Sequence, residues 1–354
     1  MGLKILHSAD WHLDSPFMGF SEQQRRFLRE EQRKIPGKIV DLCRREGCEL
    51  MLLAGDLFDG EASRETVELL KKELEKAEIP VLISPGNHDF CAPGSPWLEE
   101  SWPENVYIFR GGLEAVTIEG VDCRVYGAGF QSMDCDALLE HFQAEGDETY
   151  AIGLFHGDPV QKKSPYNPIT VAQVKGSALD YLALGHVHKA GTFRAGQTLC
   201  AWPGCPMGRG WDELGEKGVC IVSLSDEAQV KAVSLDLPRF LEMDVDVGSD
   251  ALAALEAALP GGGSNDFFRI NLTGCGEVDL DELEEKLADF PNLELRDKTE
   301  APVDLWADIG EDTLEGVYFH KLRQAMEDDA DNGEVFRMAA EISRKILLGK
   351  EVKL

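Results

Sequence analysis

The sequence predicts an α/β protein: a double β-sheet sandwich flanked by helices, then a small β-α-β-α-β module, then a C-terminal helix pair. Three observations carry this. Short apolar runs at 4–9, 50–54, 81–84, 150–155 and 181–184 each deliver His, Asp or Asn into a following turn, the pattern of buried strands whose carboxyl ends gather ligands. Helical stretches separate the first three runs, and that rhythm implies parallel strands. From about 106 to 130 the pattern changes to shorter alternating segments, VYIF, EAVTIEG and CRVYGAGF, which suit antiparallel strands of a second sheet.

In chain order, the first run leads through DSPF to Ser21, with Gln24 three residues on, a capping box that opens a helix. Pro36 is expected to divide the stretch 21–46 into two helices, because its ring cannot sit in a helix interior. After GDLFD, Ser63 is a suitable N-cap, and Val67, Leu70, Leu74 and Ala77 recur at helical spacing. Segments 192–202 and 218–224 are read as continuing the second sheet, so that residues 1–237 form the first domain. Leu237 and Pro238 mark a boundary. The module 238–300 then reads as strand 240–247, helix 250–259, a PGGGSN loop, strand 267–273, helix 280–290 and strand 293–296. In 301–354 a Pro-bearing linker at Ala301 and Pro302 precedes helices 312–327 and 334–348. The second of these shows Val335, Met338, Ala339, Ile342 and Ile346 as an apolar face.

A chain of 354 residues, 43% hydrophobic and 28% charged, has the make-up of a soluble protein of two or more domains. No apolar stretch approaches the roughly 18 residues of a membrane-spanning helix, and the N-terminus enters a strand without a signal-peptide pattern. A cytoplasmic protein with no membrane partner is expected. Nine cysteines without a CxxC pair argue against a disulfide framework or a cysteine zinc site. The net charge of −30 runs against nucleic-acid binding, which normally uses a basic surface. More than half of that excess lies beyond Pro238, whereas 21–46 is locally basic through Arg25, Arg26, Arg29, Arg33, Lys34, Lys38, Arg44 and Arg45. That stretch is either a solvated helix face or a phosphate contact.

The chemistry is concentrated in five motifs: DWH (Asp10, His12), GDLFD (Asp56), GNHD (Asn87, His88, Asp89), FHGD (His156) and GHVH (His186, His188). Each stands at the end of an apolar run, so five strands aim metal-type side chains at one place. Mixed nitrogen and oxygen donors suit Mn²⁺, Fe or Zn²⁺ better than Mg²⁺ or Ca²⁺. The donors are too many for one ion. Two ions about 3.5 to 4 Å apart can share a carboxylate and activate a water for in-line attack on phosphorus, and Asp56 is the natural bridge. His7, His141 and His320 lie outside the motifs and are expected to be structural or merely exposed.

These motifs resemble the calcineurin-like metallophosphoesterases, with a double β-sheet core and a di-metal site. DWHLDSPF, GDLFD, GNHD, DYLALGHVHK and WPGCPMGRG followed by ELGEKGV are similar to the SbcD-type DNA repair exonucleases, in particular the SbcD-like YhaO branch. The resemblance implies one metal on Asp10, His12, Asp56 and His188 and the other on Asp56, Asn87, His156 and His186. His88 would be the acid that protonates the departing oxygen, with Asp89 orienting its ring. It implies Mn²⁺-dependent exonuclease and endonuclease activity on DNA, with an SMC-like ATPase of the SbcC type as partner. The module 238–300 would be the capping domain, and the last helices would bind the ATPase. Relatives often dimerise, and 21–41 or 93–102 could contribute to a homodimer.

Two departures stand out. Asp59 stands where some relatives carry a second histidine, and Cys205 replaces the serine usual in the PGS turn. Competing readings are a phosphodiesterase for nucleotides or other small esters, which needs no basic groove, and an adaptor for the ATPase whose site is idle. A protein phosphatase fits less well, because GDLFD lacks the Arg-containing extension and GNHD replaces GNHE.

Overall fold

Buried parallel strands need both faces covered, and the computed structural model covers them twice over. It describes residues 2–261, 263–300, 305–306, 309–310, 312–329 and 332–349. The chain divides into two units, Met1–Glu242 with Asn265–Arg269, and Met243–Ser264 with Ile270–Leu354.

The first unit runs β1 (Leu3–Ser8), α1 (Glu22–Gln32), α2 (Ile35–Glu46), β2 (Leu50–Leu53), α3 (Arg64–Glu75), β3 (Val81–Ile83), α4 (Pro96–Glu99) and β4 (Val106–Ile108). It continues with β5 (Glu114–Ile118), β6 (Cys123–Gly127), β7 (Tyr150–His156), α5 (Val171–Gly176), β8 (Tyr181–Gly185), β9 (Gly191–Ala195), β10 (Thr198–Trp202), β11 (Gly218–Leu224) and β12 (Gln229–Ser234). One six-stranded sheet has the order β12-β11-β1-β2-β3-β4 and the other β5-β6-β7-β8-β10-β9. The two-residue side-chain period sorts the core. Met51 and Leu53 of β2 face the layer that holds Leu28, Ile39 and Leu70 of the helices. Leu50 and Leu52 face Ile152, Leu154, Tyr181 and Ala183 of the other sheet, while Leu182 and Leu184 of β8 pack outward against Val174 of α5.

The local signals for α1 and α3 hold. Ser21 and Gln24 form the capping box, and Ser63 accepts from the Thr66 N–H. The break between α1 and α2 falls at Arg33 and Lys34, and Pro36 sits in the first turn of α2, where its missing N–H costs nothing.

Strand assignment needs correction in two places. The VYIF segment forms β4, which pairs parallel to β3 through Val81↔Val106 at the edge of the first sheet. Segment 218–224 also belongs to the first sheet, antiparallel to β1 through Ile5↔Val222. Its run VCIV is buried on both faces, with Val219 and Ile221 toward the helices and Cys220 and Val222 toward the other sheet. Such a run belongs to a central strand, not to an alternating one. The second sheet is mixed: β6, β7, β8 and β10 run parallel, and only β5 and β9 are antiparallel to their neighbours.

In the remaining chain, β13 (Phe240–Asp246), β14 (Phe267–Thr273) and β15 (Leu293–Asp297) make a three-stranded sheet in that order. Helices α6 (Ala251–Ala258) and α7 (Leu280–Lys286) lie between its strands in sequence, each capped by the aspartate before it, Asp250 and Asp279. Helix α8 (Leu314–Asp328) packs with α9 (Gly333–Leu347), and the Arg344 guanidinium lies 4.0 Å from the centre of the Phe319 ring. On α9, Val335, Met338 and Ile346 remain exposed. The linker expected at Ala301 and Pro302 lies outside the described residues. No helix among the described residues is long and apolar enough to cross a membrane.

Candidate metal centre

The turns that leave β1, β2 and β8 are held in backbone conformations that side chains seldom adopt. Asp10, His12, Asp56 and His186 have φ of 55°, 46°, 51° and 94°, each costing about 1 kcal/mol or more, and such strain clusters at functional sites. Hydrogen bonds hold the turns there. Asp10 N–H donates to Gly55 C=O at 3.0 Å and His12 N–H to Asp56 C=O at 2.9 Å. The buried Gln32 amide of α1 donates to the His12 carbonyl at 2.7 Å. From the other sheet, His186 N–H donates to the Asp10 carboxylate at 2.9 and 3.1 Å. Gly86 is obligatory, since a Cβ there would overlap both the Asp56 carboxylate and the His156 ring.

All nine expected side chains fall in one network, and ring tautomers define its interior. His12 Nδ1 donates to Asp59 Oδ1 at 3.3 Å, and His188 Nδ1 to Glu213 Oε1 at 2.6 Å. Their Nε2 atoms lie 3.1 Å apart. His156 Nδ1 donates to Ala54 C=O at 2.9 Å. Its Nε2 lies 3.0 Å from Asn87 Oδ1 and 3.3 Å from Asp56 Oδ2, and His186 Nδ1 lies 3.2 Å from the same Asn87 oxygen. Asp56 Oδ2 lies 3.8 Å from His12 Nε2, so it stands between the two clusters. The groups Asp10–His12–His188, His12–Asp56–His88 and Asp10–Asp56–His156 each bring three ligand-type atoms within 4.8 Å of one another.

Converging lone pairs repel unless a positive charge lies among them. Burial opposes a charge on His156, yet the adjacent Asp56 carboxylate outweighs it and raises the ring to about 9. Asp56 is held below the usual carboxylate range by His156 and His12 in spite of its own burial. Burial, reinforced by the neighbouring His156, pushes His186 down to about 4. Nitrogen and oxygen donors in two clusters joined by one carboxylate fit a pair of divalent cations.

One expected role is corrected. Asp89 does not touch the His88 ring. Its carboxylate accepts from the N–H groups of Gly86 at 2.7 Å, Leu57 at 2.8 Å, Asp56 at 3.2 Å and Phe58 at 3.3 Å, and so ties the GNHD turn to GDLFD. A buried carboxylate is drawn to such a nest of donors rather than to a ring that is partly in solvent. The carboxylate beside His88 is Asp59, whose Oδ1 lies 3.2 Å from His88 Nδ1 and raises that ring's proton affinity.

Sequence reasoning missed the outer partners. Glu213 braces His188, and Arg209 Nη2 binds Glu213 Oε1 at 3.0 Å while its Nη1 lies 3.9 Å from Asp59. Ser15 Oγ donates to Asp59 Oδ2 at 2.9 Å, and the Tyr166 ring lies 4.8 Å from that of His186. Both Arg209 and Glu213 lie in the quoted WPGCPMGRG and ELGEKGV segments, but no spacing rule places them behind His188. Of the histidines outside the motifs, His7 is buried between Tyr181 Oη at 2.8 Å and Leu184 C=O at 3.1 Å.

A two-sheet sandwich with such a cluster at its strand ends is the scaffold of a metal-dependent phosphoester hydrolase. The family model for calcineurin-like phosphoesterases matches residues 3–190, and the chain belongs to that family. It is 34% identical over 242 residues to the metallophosphoesterase YhaO of Bacillus subtilis, covering 63% of this chain and 58% of that one, less than two thirds of the relative's length. It is 22% identical over 330 residues to the D subunit of the SbcCD nuclease of Staphylococcus epidermidis, covering 82% and 84% of the two chains. Among solved structures, TT1561 of Thermus thermophilus is similar over 66% of this chain and 99% of that one, at 14% identity and a TM-score of 0.41.

Proposed function

We propose that the chain is the nuclease subunit of a DNA-processing complex, hydrolysing phosphodiester bonds at a di-metal centre that uses Mn²⁺. The observation that carries the hydrolytic part is the pair of ligand-type clusters joined by Asp56. Cations held by Asp10, His12, Asp56 and His188 and by Asp56, Asn87, His156 and His186 would supply Lewis acidity at the phosphoryl oxygens and lower the pKa of water. The chain's own groups do the rest. Asp59 fixes the His88 ring through Nδ1, which leaves Nε2 without a hydrogen-bond partner among the described residues and free to protonate the departing oxygen. Ser15 and Arg209 hold Asp59, and Asp89 holds the turn that carries His88.

DNA as substrate is supported by the likeness to the D subunit of an SbcCD nuclease along most of that protein's length and by the arginines of α1. Exposed apolar residues on α9 support a docking role for 301–354 toward an SMC-like ATPase, with 238–300 as a capping domain. The charge of −30 favours the second reading, a phosphodiesterase for small esters. Incubating the full chain with Mn²⁺ and end-labelled single- and double-stranded DNA, beside a small aryl phosphodiester and the His88→Ala control, tests both. Shortening of DNA by the wild type alone supports the nuclease. Hydrolysis of only the small ester, unchanged when the ATPase partner is added, supports the second reading.

A further inference from the structure

Helix α2 closes in a Schellman motif whose two ends are cysteines. Gly47 takes the left-handed conformation at φ 65° and ψ 43°, its N–H donates to Arg44 C=O at 3.1 Å, and the Cys48 N–H donates to Cys43 C=O at 3.0 Å. That closure sets the two end residues side by side, where a pair of apolar side chains usually meets. Here the pair is two thiols. The C-x4-C spacing carries no such contact in itself; the left-handed glycine creates it.

Both thiols are free and buried, in the core layer that Ile39 of α2 and Met51 of β2 also fill. They hydrogen-bond each other, which lowers the proton affinity of Cys48, helped by the Lys4 ammonium, and raises that of Cys43. Lys4 is fixed at this turn, its Nζ donating to Glu46 C=O at 2.5 Å. Burial instead raises Cys91, Cys123, Cys135, Cys200, Cys205 and Cys220. Cys48 is therefore the readier source of thiolate, the reactive form. It also keeps 7% of its surface in solvent, against 2% for Cys43.

We propose that Cys43 and Cys48 are a thiol-oxidation site that closes to a reversible disulfide when a peroxide reaches this turn. The Cys48 thiolate attacks one oxygen of hydrogen peroxide, the O–O bond breaks, and hydroxide leaves to become water. Cys48 is then a sulfenic acid. The Cys43 sulfur attacks it, the S–S bond forms, the S–O bond breaks, and the Cys43 proton leaves with the departing hydroxide as a second water. Two thiols are thus oxidised by two electrons, and one peroxide is reduced to two waters. A small-molecule dithiol reverses the step by exchange and ends as its own disulfide. The bond ties the last turn of α2 to the residues that enter β2, whereas Asp56 follows the other end of that strand. Its chemistry does not depend on what the candidate centre hydrolyses.

The test treats the folded full chain with hydrogen peroxide, caps the remaining thiols by alkylation and digests with trypsin without reductant. Trypsin cuts after Lys38, Arg44, Arg45 and Arg64, so the disulfide is read as peptide 39–44 joined to peptide 46–64. That joined pair is expected in the wild type, lost on prior treatment with dithiothreitol, and lost in Cys43→Ser. In Cys43→Ser, dimedone should trap Cys48 as its sulfenic acid, and in Cys48→Ser Cys43 should remain alkylatable. Circular dichroism of both variants checks that they are folded. Both cysteines remaining alkylatable in the wild type at peroxide doses that oxidise the exposed Cys275 would overturn the site. So would oxidation of either one without the joined peptides.

Discussion

The two halves of the candidate centre are built from the same kinds of ligand but braced in opposite ways. Behind His12 and His188 stand carboxylates, Asp59 at 3.3 Å and Glu213 at 2.6 Å, the second itself bound by Arg209. Behind His156 stands a neutral carbonyl, Ala54, and the nearest carboxylate to His186 on its far side is Asp158 at 3.8 Å. A carboxylate behind an imidazole raises the basicity of the opposite nitrogen and fixes its tautomer. The first half is therefore an electron-rich site whose strength depends on side chains far away in sequence. The second depends on the backbone of the β2 strand end and on Asn87.

The largest effect should come from the group the halves share. Asp56→Asn should lower hydrolysis by about 10³-fold or more, roughly 4 kcal/mol of barrier, and metal analysis should find fewer than two ions per chain. Next, Glu213→Gln should weaken the carboxylate-braced half alone, lowering affinity for one of two Mn²⁺ ions by about 10- to 100-fold in calorimetric titration. Equal weakening of both ions would break the comparison. Asp158→Asn, by contrast, should change the affinity of either ion by about threefold or less, because its carboxylate is beyond hydrogen-bond reach of His186.

A separate effect, on stability rather than on metal binding, concerns a histidine in neither half. Burial pushes His7 down to about 3, against the opposing hydrogen bond to Leu184. The native state then binds no proton where the unfolded chain does, so stability should rise with pH between about 3 and 6.5, by about 1.4 kcal/mol per pH unit, from this group. Urea unfolding of chelated protein from pH 5 to 6.5 should show that contribution to the slope, and His7→Gln should remove it.

This contrast also explains what the sequence could tell. The strand-end residues of the candidate centre were legible because a buried parallel strand reads as an unbroken apolar run, and the turn that follows must carry whatever the fold presents at that edge. Asp10, Asp56, His156 and His186 are each found this way. The braces were not legible. Glu213 lies 25 residues from His188, on a segment with no apolar pattern of its own, and nothing local marks it. Asp59 and Asp89 were both visible as the closing carboxylates of the GDLFD and GNHD motifs. Which of them faces His88 depends on the four backbone donors that only the folded GNHD and GDLFD turns bring together. Sheet membership failed for a related reason: β4 and β11 have strand-like sequences, but their partners are chosen by distant segments.

Electron paramagnetic resonance of the chain titrated with Mn²⁺ tests the central claim most directly. Two clusters sharing Asp56 predict that a second equivalent of Mn²⁺ produces a spin-coupled pair, and that Asp56→Asn abolishes the coupling. A spectrum of isolated Mn²⁺ at every stoichiometry, unchanged in Asp56→Asn, would contradict the account.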